Sequence, residues 1–274
     1  MAEPFLRNAS EIQTIMALFA EAKRQHGKPA VERLEQGLLI AAGLAQPVTP
    51  ADPLQRPGLY IPGIPARAWH EAAEIEGVQA LERAADTIRI ELLAAIEKRR
   101  GFQQHRVDKD LGRDGKWNAL YLRQDPLSFS DNRALCPETV RLVDAMPRLG
   151  EIVMFSALTP GAHIEPHAGP WNARLTVHLG LVVPDGCEFR VGSESRRWRE
   201  GKCLVFDDSF EHEVWNRSDS TRVVLLLDVW HPDLTEIEIA ILSRARSLII
   251  GNQREALQVI EQGRNELRGR HWWV

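Results

Sequence analysis

A mainly β core with flanking helices is the fold class this sequence predicts, and two observations predict it. Apolar residues recur with a helical period up to about residue 100, then with a period of two from about Trp117. Past that switch, short apolar runs are separated by the turn-forming words Thr159-Pro160-Gly161, Pro184-Asp185-Gly186 and Asp207-Asp208-Ser209. Many short strands at such spacing suit a double-stranded β-helix, a cupin-like jelly roll, with N-terminal and C-terminal helices outside it. The expected organisation is an N-terminal helical segment over 1–46, a barrel domain over 47–232 that includes a long supporting helix at about 71–100, and a C-terminal helical extension over 233–274.

Each element follows from local pattern. Ile12, Ile15, Met16, Phe19 and Ala20 form the apolar stripe of a first helix with Ser10 as its expected N-cap. Gly27 and Pro29 end it, and Val31, Leu34, Leu38 and Leu39 mark a second helix that stops near Gly43. The stretch from Pro47 to Pro65 holds six prolines and two glycines, too many for a regular element, so it is expected to be a linker or a wrapped loop. Val78, Leu81, Ala85, Ile88, Leu92 and Ile96 give the stripe of the helix at about 71–100. The charged stretch 101–116 is expected to be a loop. Strands are expected over 117–122, 151–158, 173–183, 188–191, 202–206, 213–216 and 222–229. Pro232 stops the last strand, and Asp233 or Thr235, each followed three residues later by a glutamate, caps a terminal helix that runs towards Leu267. The tail His271-Trp272-Trp273-Val274 suggests no chemistry.

Composition narrows the partners. A formal charge of −4 over 274 residues offers no basic surface of the kind nucleic acid requires. Cys136, Cys187 and Cys203 are odd in number and form no CxxC, which points to free thiols in a reducing, cytoplasmic setting. The opening Met1-Ala2-Glu3-Pro4 lacks a signal-peptide profile, and no apolar run reaches the roughly 18 residues of a membrane span. The terminal helices either pack on the barrel or build a homodimer interface.

The residues with chemical promise are far apart in sequence. His167 stands in Pro166-His167-Ala168-Gly169-Pro170, His212 in Phe210-Glu211-His212-Glu213, and Arg222 heads the run Val-Val-Leu-Leu-Leu. Neutral imidazoles bind ferrous iron, and an arginine fork at an apolar strand needs an anion, which a bound carboxylate supplies. Together they point to an Fe(II)- and 2-oxoglutarate-dependent oxygenase. Singly, each has a plainer reading: a loop histidine, a histidine packed between Phe210 and Trp215, an arginine at an exposed strand end. Arg174, Thr176 and His178 alternate with Leu175, Val177 and Leu179, which fits either a polar-lined barrel interior or a solvent-exposed face.

Longer words carry a resemblance. The segment from Ser156 to Pro232 resembles the catalytic domain of the aspartyl/asparaginyl β-hydroxylase family. The matching words are Pro160-Gly161, Pro166-His167-x-Gly169-Pro170-x-Asn172, His178-Leu179-Gly180-Leu181, the run Phe206 to Trp215, and Asp228-Val229-Trp230-His231-Pro232. A weaker match reaches Arg56-Pro57-Gly58-Leu59-Tyr60-Ile61-Pro62-Gly63 and Trp69-His70, so the resemblance spans roughly residues 55–234. It implies that His167 and His212 are iron ligands and that Arg222, assisted by Ser156, holds the distal carboxylate of 2-oxoglutarate. It further implies that His178 lies near the metal-proximal carboxylate and that Arg174 holds an acidic group of the substrate. Thr176 departs from a family that often has a second arginine there, and Gly169 stands where many such sites carry a carboxylate ligand. The family is known for lacking that ligand; Glu165 is the nearest substitute, although alternation aims it elsewhere. Asp208 is expected to turn the chain or to orient a ligand histidine. The implied reaction uses dioxygen (O2) and yields succinate and CO2. It hydroxylates the β-carbon of an aspartyl or asparaginyl residue in a peptide or protein. A free or carrier-bound amino acid, a lipid acyl chain and a non-catalytic cupin-like binding module are the alternatives.

Overall fold

Two antiparallel sheets face each other to form the double-stranded β-helix. This computed structural model describes residues 9–41, 43–99, 103–104, 117–125 and 127–249. The strands are β1 (Trp69–His70), β2 (Gln103–Gln104), β3 (Trp117–Gln124), β4 (Leu127–Ser128), β5 (Leu149–Leu158), β6 (His163–His167), β7 (Arg174–Val182), β8 (Cys187–Val191), β9 (Glu194–Arg196), β10 (Cys203–Phe206), β11 (His212–Asn216) and β12 (Arg222–Trp230). The larger sheet runs β1-β10-β7-β12-β5-β3-β2 with β4 on β3, and the smaller runs β6-β11-β8-β9. Each of the seven expected strands is present, most of them a residue or two different in length. Five were not anticipated: β1, β2 and β4, of two residues each, together with β6 and β9. Pro166 argued for a loop around His167, but β6 is the edge of its sheet, where a missing N–H breaks no ladder. The short β9 lies in a polar run, Glu194-Ser195-Arg196, with no apolar alternation to betray it.

The helices are α1 (Ala9–His26), α2 (Glu32–Ala41), α3 (Val78–Arg83), α4 (Ala85–Arg99), α5 (Ser130–Arg133), α6 (Pro137–Asp144) and α7 (Glu236–Ile249). The single long helix expected at about 71–100 is instead a short 3-10 turn followed by α3 and α4. Gly77, at φ 90°, opens α3 in the left-handed region, so no helix runs through it. The apolar stripe was still read correctly: Val78, Leu81, Ile88, Leu92 and Ile96 all pack into the core beneath the larger sheet. Of the two cap candidates for the last helix, Thr235 is the cap. Its hydroxyl accepts from the Glu238 N–H at 3.2 Å while the Glu238 carboxylate accepts from the Thr235 N–H at 2.8 Å.

A second core joins α1 and α2 to α7. Ile15, Phe19, Leu34 and Leu38 of α1 and α2 pack with Leu234, Ile241 and Leu242 and with the barrel's Trp171 and Trp230. The proline-rich stretch wraps the barrel, and Asn172 pins it: its side chain accepts from the Ile61 N–H at 2.8 Å and donates to the Ile61 carbonyl at 3.0 Å. Most of the loop expected at 101–116, the continuation of the terminal helix towards Leu267, and the His271-Trp272-Trp273-Val274 tail lie outside the described residues.

Candidate functional site

Strand pairing brings the two predicted ligand histidines together. His167 ends β6, His212 begins β11, and the register places their Cα atoms opposite each other. The rings lie 4.1 Å apart between centroids. Each ring is oriented by its own backbone: His167 Nδ1 meets the Glu165 carbonyl and His212 Nδ1 the Phe210 carbonyl, both at 2.8 Å. A carbonyl only accepts, so Nδ1 carries the proton on both rings and each Nε2 presents a lone pair. Burial holds both imidazoles neutral. It lowers the His167 pKa, and it lowers that of His212 to about 3, helped by the neighbouring ring.

The position two residues past His167 is closed. A Cβ on Gly169 would collide with the carboxylate of Asp208, and the Gly169 N–H donates to the Asp208 carbonyl at 2.6 Å. Asp208 therefore fills the space into which a residue-169 side chain would project. Among the described residues, no three histidine, cysteine or acidic side chains are grouped to hold a metal. Two neutral imidazole nitrogens with open positions beside them still fit a divalent first-row ion, completed by solvent or by a chelating cosubstrate.

A buried cation lies at one end of the same cavity. Arg222 opens β12 at 1% exposure, and its Nη1 donates to the Ser156 carbonyl at 3.3 Å while its Nε has no partner. The guanidinium lies over the Trp198 ring, 4.7 Å from its centroid, and no carboxylate is paired with it among the described residues. Desolvation lowers its pKa to about 10. Ser156, one strand over, accepts on its hydroxyl from Trp117 Nε1 at 3.0 Å. His178 is 6% exposed with neither ring nitrogen bonded, stacked on Phe189 and Trp198, and burial beside Arg222 pushes its pKa well down.

The other end is built differently. Arg174 donates through Nη1 to Glu151 Oε2 at 2.8 Å and also to Asp228 Oδ2. Asp228 is itself fixed, since its Oδ1 accepts from the N–H groups of Glu151 and Ile152, each at 2.7 Å. A Cβ on Gly150 would overlap this carboxylate, so glycine is needed for the approach.

One cavity of about 210 Å³ is lined by His167, His212, Arg222, Ser156, His178 and Arg174 together. Alternation along β7 thus faces the barrel interior, and the solvent-face reading of that strand is set aside. The walls between are apolar, with Ile152, Met154, Ile164 and Leu226, and Trp117 and Tyr121 also line them. Trp171 supports the cavity from behind, its ring 4.8 Å from the Arg174 guanidinium and packed edge to face on Trp230, whereas His163 stacks on Trp215 and Arg123 pairs with Asp125.

The aspartyl/asparaginyl β-hydroxylase family profile matches residues 82–232, more than half of the chain. The chain belongs to this family. It is 40% identical over 190 residues to the aspartyl/asparaginyl beta-hydroxylase of Homo sapiens, covering 66% of this chain and 25% of that protein. The chain therefore corresponds to about a quarter of that relative's length. It is 36% identical over 170 residues to the ornithine lipid ester-linked acyl 2-hydroxylase of Rhizobium tropici, covering 60% of each. A solved oxidoreductase of the 2OG-Fe(II) oxygenase family from Burkholderia pseudomallei superposes with a TM-score of 0.33 and 16% identity, covering 42% of this chain and 69% of that one. The fold assignment rests on the sheets described above.

The structure adds residues that sequence reasoning passed over. Glu151 was unremarked, and Asp228 was noticed only inside a longer word. An acid interrupting the apolar run of β12 was the visible signal that something cationic lay opposite. Trp198 carried no signal of its own. Among the described residues, no helix is long and apolar enough to cross a membrane.

Proposed function

We propose that the chain is an Fe(II)- and 2-oxoglutarate-dependent hydroxylase acting on an unactivated C–H, the β-carbon of an aspartyl or asparaginyl residue in a peptide or protein. The observation that carries this reading is the pairing, in one cavity, of two neutral histidines with a buried arginine that has no counter-ion among the described residues. His167 and His212 would hold the metal through Nε2. Arg222 would grip the far carboxylate of 2-oxoglutarate, with the Ser156 hydroxyl beside it, and the unbonded nitrogens of His178 would meet its near end. Bound iron with 2-oxoglutarate and dioxygen supplies the oxidant that inserts oxygen into a C–H bond, with succinate and CO2 as co-products. The protein's own part is orientation and dryness. The backbone carbonyls of Glu165 and Phe210 fix the imidazole tautomers. Phe189, Trp198 and Phe206 pack His178 in place, and the apolar walls exclude water.

A second reading, hydroxylation of a lipid acyl chain, is favoured by those same apolar walls and by the Rhizobium relative, which spans a similar length. Both readings share the metal and cosubstrate site, and a non-catalytic binding module would need neither. The test is succinate formation from 2-oxoglutarate by the ferrous protein with ascorbate, beside His212→Ala and Arg222→Ala. Turnover lost in both variants supports the oxygenase. An inert wild type that also fails to bind 2-oxoglutarate leaves the binding module.

A further inference from the structure

An arginine as deeply buried as Arg222 is ordinarily paired with an acid. Here the guanidinium donates to the Ser156 carbonyl through Nη1 at 3.3 Å, has no partner on Nε, and meets no carboxylate among the described residues. The titratable group that acts on it is the Cys187 thiol, which burial keeps protonated. What lies against the cation is the face of Trp198, its ring centroid 4.7 Å away. A ring face attracts a cation through its quadrupole and takes none of its N–H groups. A carboxylate would occupy two of those groups at once, in the fork geometry that an incoming carboxylate needs.

Several features place that one ring. Trp198 follows β9 in the irregular stretch 197–199, and it is buried while Arg197 and Arg199 on either side are exposed. The stretch is tied to β7: the Gly201 N–H donates to the Gly180 carbonyl at 2.9 Å, and the Gly180 N–H to the Lys202 carbonyl at 3.0 Å. A Cβ on Gly180 would stand 2.5 Å from the Arg199 carbonyl oxygen, so glycine permits this approach. Phe189 backs the indole in a parallel stack, 5.2 Å between centroids. The buried Trp198 Nε1 has no hydrogen-bond partner, so no hydrogen bond accounts for where the ring sits. Trp198 is not among the residues that line the cavity, and its effect on a ligand there runs through Arg222.

We propose that Trp198 is a positioning residue for the cosubstrate: its ring stands in for the counter-ion of Arg222, orienting the guanidinium while leaving its fork free for the far carboxylate of 2-oxoglutarate. The inference rests on the hydroxylase reading above and adds to it the residue that keeps Arg222 available.

The test is anaerobic calorimetry with the full chain loaded with Fe(II). It is titrated with 2-oxoglutarate and, separately, with oxalate, which chelates a metal but has no far carboxylate to reach Arg222. Trp198→Leu keeps an apolar side chain without a ring face. It is expected to bind 2-oxoglutarate about tenfold more weakly than wild type, and oxalate to within about twofold of wild type. Trp198→Phe keeps a smaller ring face and is expected to fall between, about threefold weaker for 2-oxoglutarate with oxalate unchanged. A role in packing alone would weaken both ligands together. Undiminished 2-oxoglutarate binding by Trp198→Leu, or an equal loss for oxalate, overturns the inference. If the leucine variant does not fold, the phenylalanine variant decides: 2-oxoglutarate binding equal to that of wild type, or a matching loss for oxalate, overturns it. Failure of 2-oxoglutarate to bind wild type at all overturns the hydroxylase reading first, and this inference with it.

Discussion

Replacing Arg222 by methionine should stabilise the unliganded protein while destroying its response to 2-oxoglutarate. Methionine keeps most of the length and apolar volume of the arginine stem but removes a charge that has no counter-ion among the described residues. Desolvation lowers the Arg222 pKa to about 10, which corresponds to about 3 kcal/mol against holding the cation in the folded state. Two contacts offset part of this, the stacking over Trp198 at 4.7 Å and the bond to the Ser156 carbonyl at 3.3 Å, each worth about 1 kcal/mol. The remainder is a gain of about 1 kcal/mol for Arg222→Met, a rise in Tm of about 2–4 °C for a domain of this size. Wild type should instead gain about 2.7 kcal/mol from 2-oxoglutarate at a hundred times its Kd in the presence of metal, and the variant nothing. Thermal denaturation of both proteins with and without metal and cosubstrate measures all of this. A variant clearly less stable than wild type without ligand, or one still stabilised by 2-oxoglutarate, would refute the view of Arg222 as an arginine waiting for a carboxylate.

Three further outcomes follow from other parts of the molecule. His70 and His231, packed edge to face at 5.6 Å, are held neutral chiefly by burial, each with its pKa lowered to about 4 from 6.5. The unfolded chain binds more protons than the folded one between those values, so stability is complete above about pH 6.5 and falls as pH drops towards 4. His70→Gln should flatten that fall by about 1.4 kcal/mol per pH unit in urea titrations. Asn172→Ala strands the buried N–H and carbonyl of Ile61 and should lower stability by about 2–4 kcal/mol, read from denaturant midpoints at unchanged m. Gly169→Asp, which on paper restores a third ligand, should instead weaken metal binding measured by calorimetry, because its side chain collides with the Asp208 carboxylate. Tighter binding by that variant would show that Asp208 moves aside freely.

The barrel was legible because its strands obey a period of two and its turns are spelled by proline, glycine and aspartate. The stripe of α3 and α4 was legible for the same kind of reason, yet the break between them was not, since Ala84, which leaves the helical region at φ −98° and ψ 7°, is a good helix former and carries no breaking signal. Edge placement is a tertiary property, so nothing local revealed that Pro166 sits in a strand. His167, His212, Arg222 and their companions were found because the words around them are long and specific. Glu151 escaped because a lone acid at the head of an apolar strand looks the same in sequence whether it faces water or an arginine. The difference between Arg174 and Arg222, one satisfied and one not, exists only once β5, β7 and β12 lie side by side.

The central claim is that the two histidines and Arg222 form one site for a metal and a dicarboxylate, and anaerobic calorimetry of 2-oxoglutarate binding tests it most directly. The account predicts one site per chain that requires Fe(II), is lost in His167→Ala/His212→Ala and is strongly weakened in Arg222→Met. Binding that needs no metal, or that survives Arg222→Met undiminished, would contradict it.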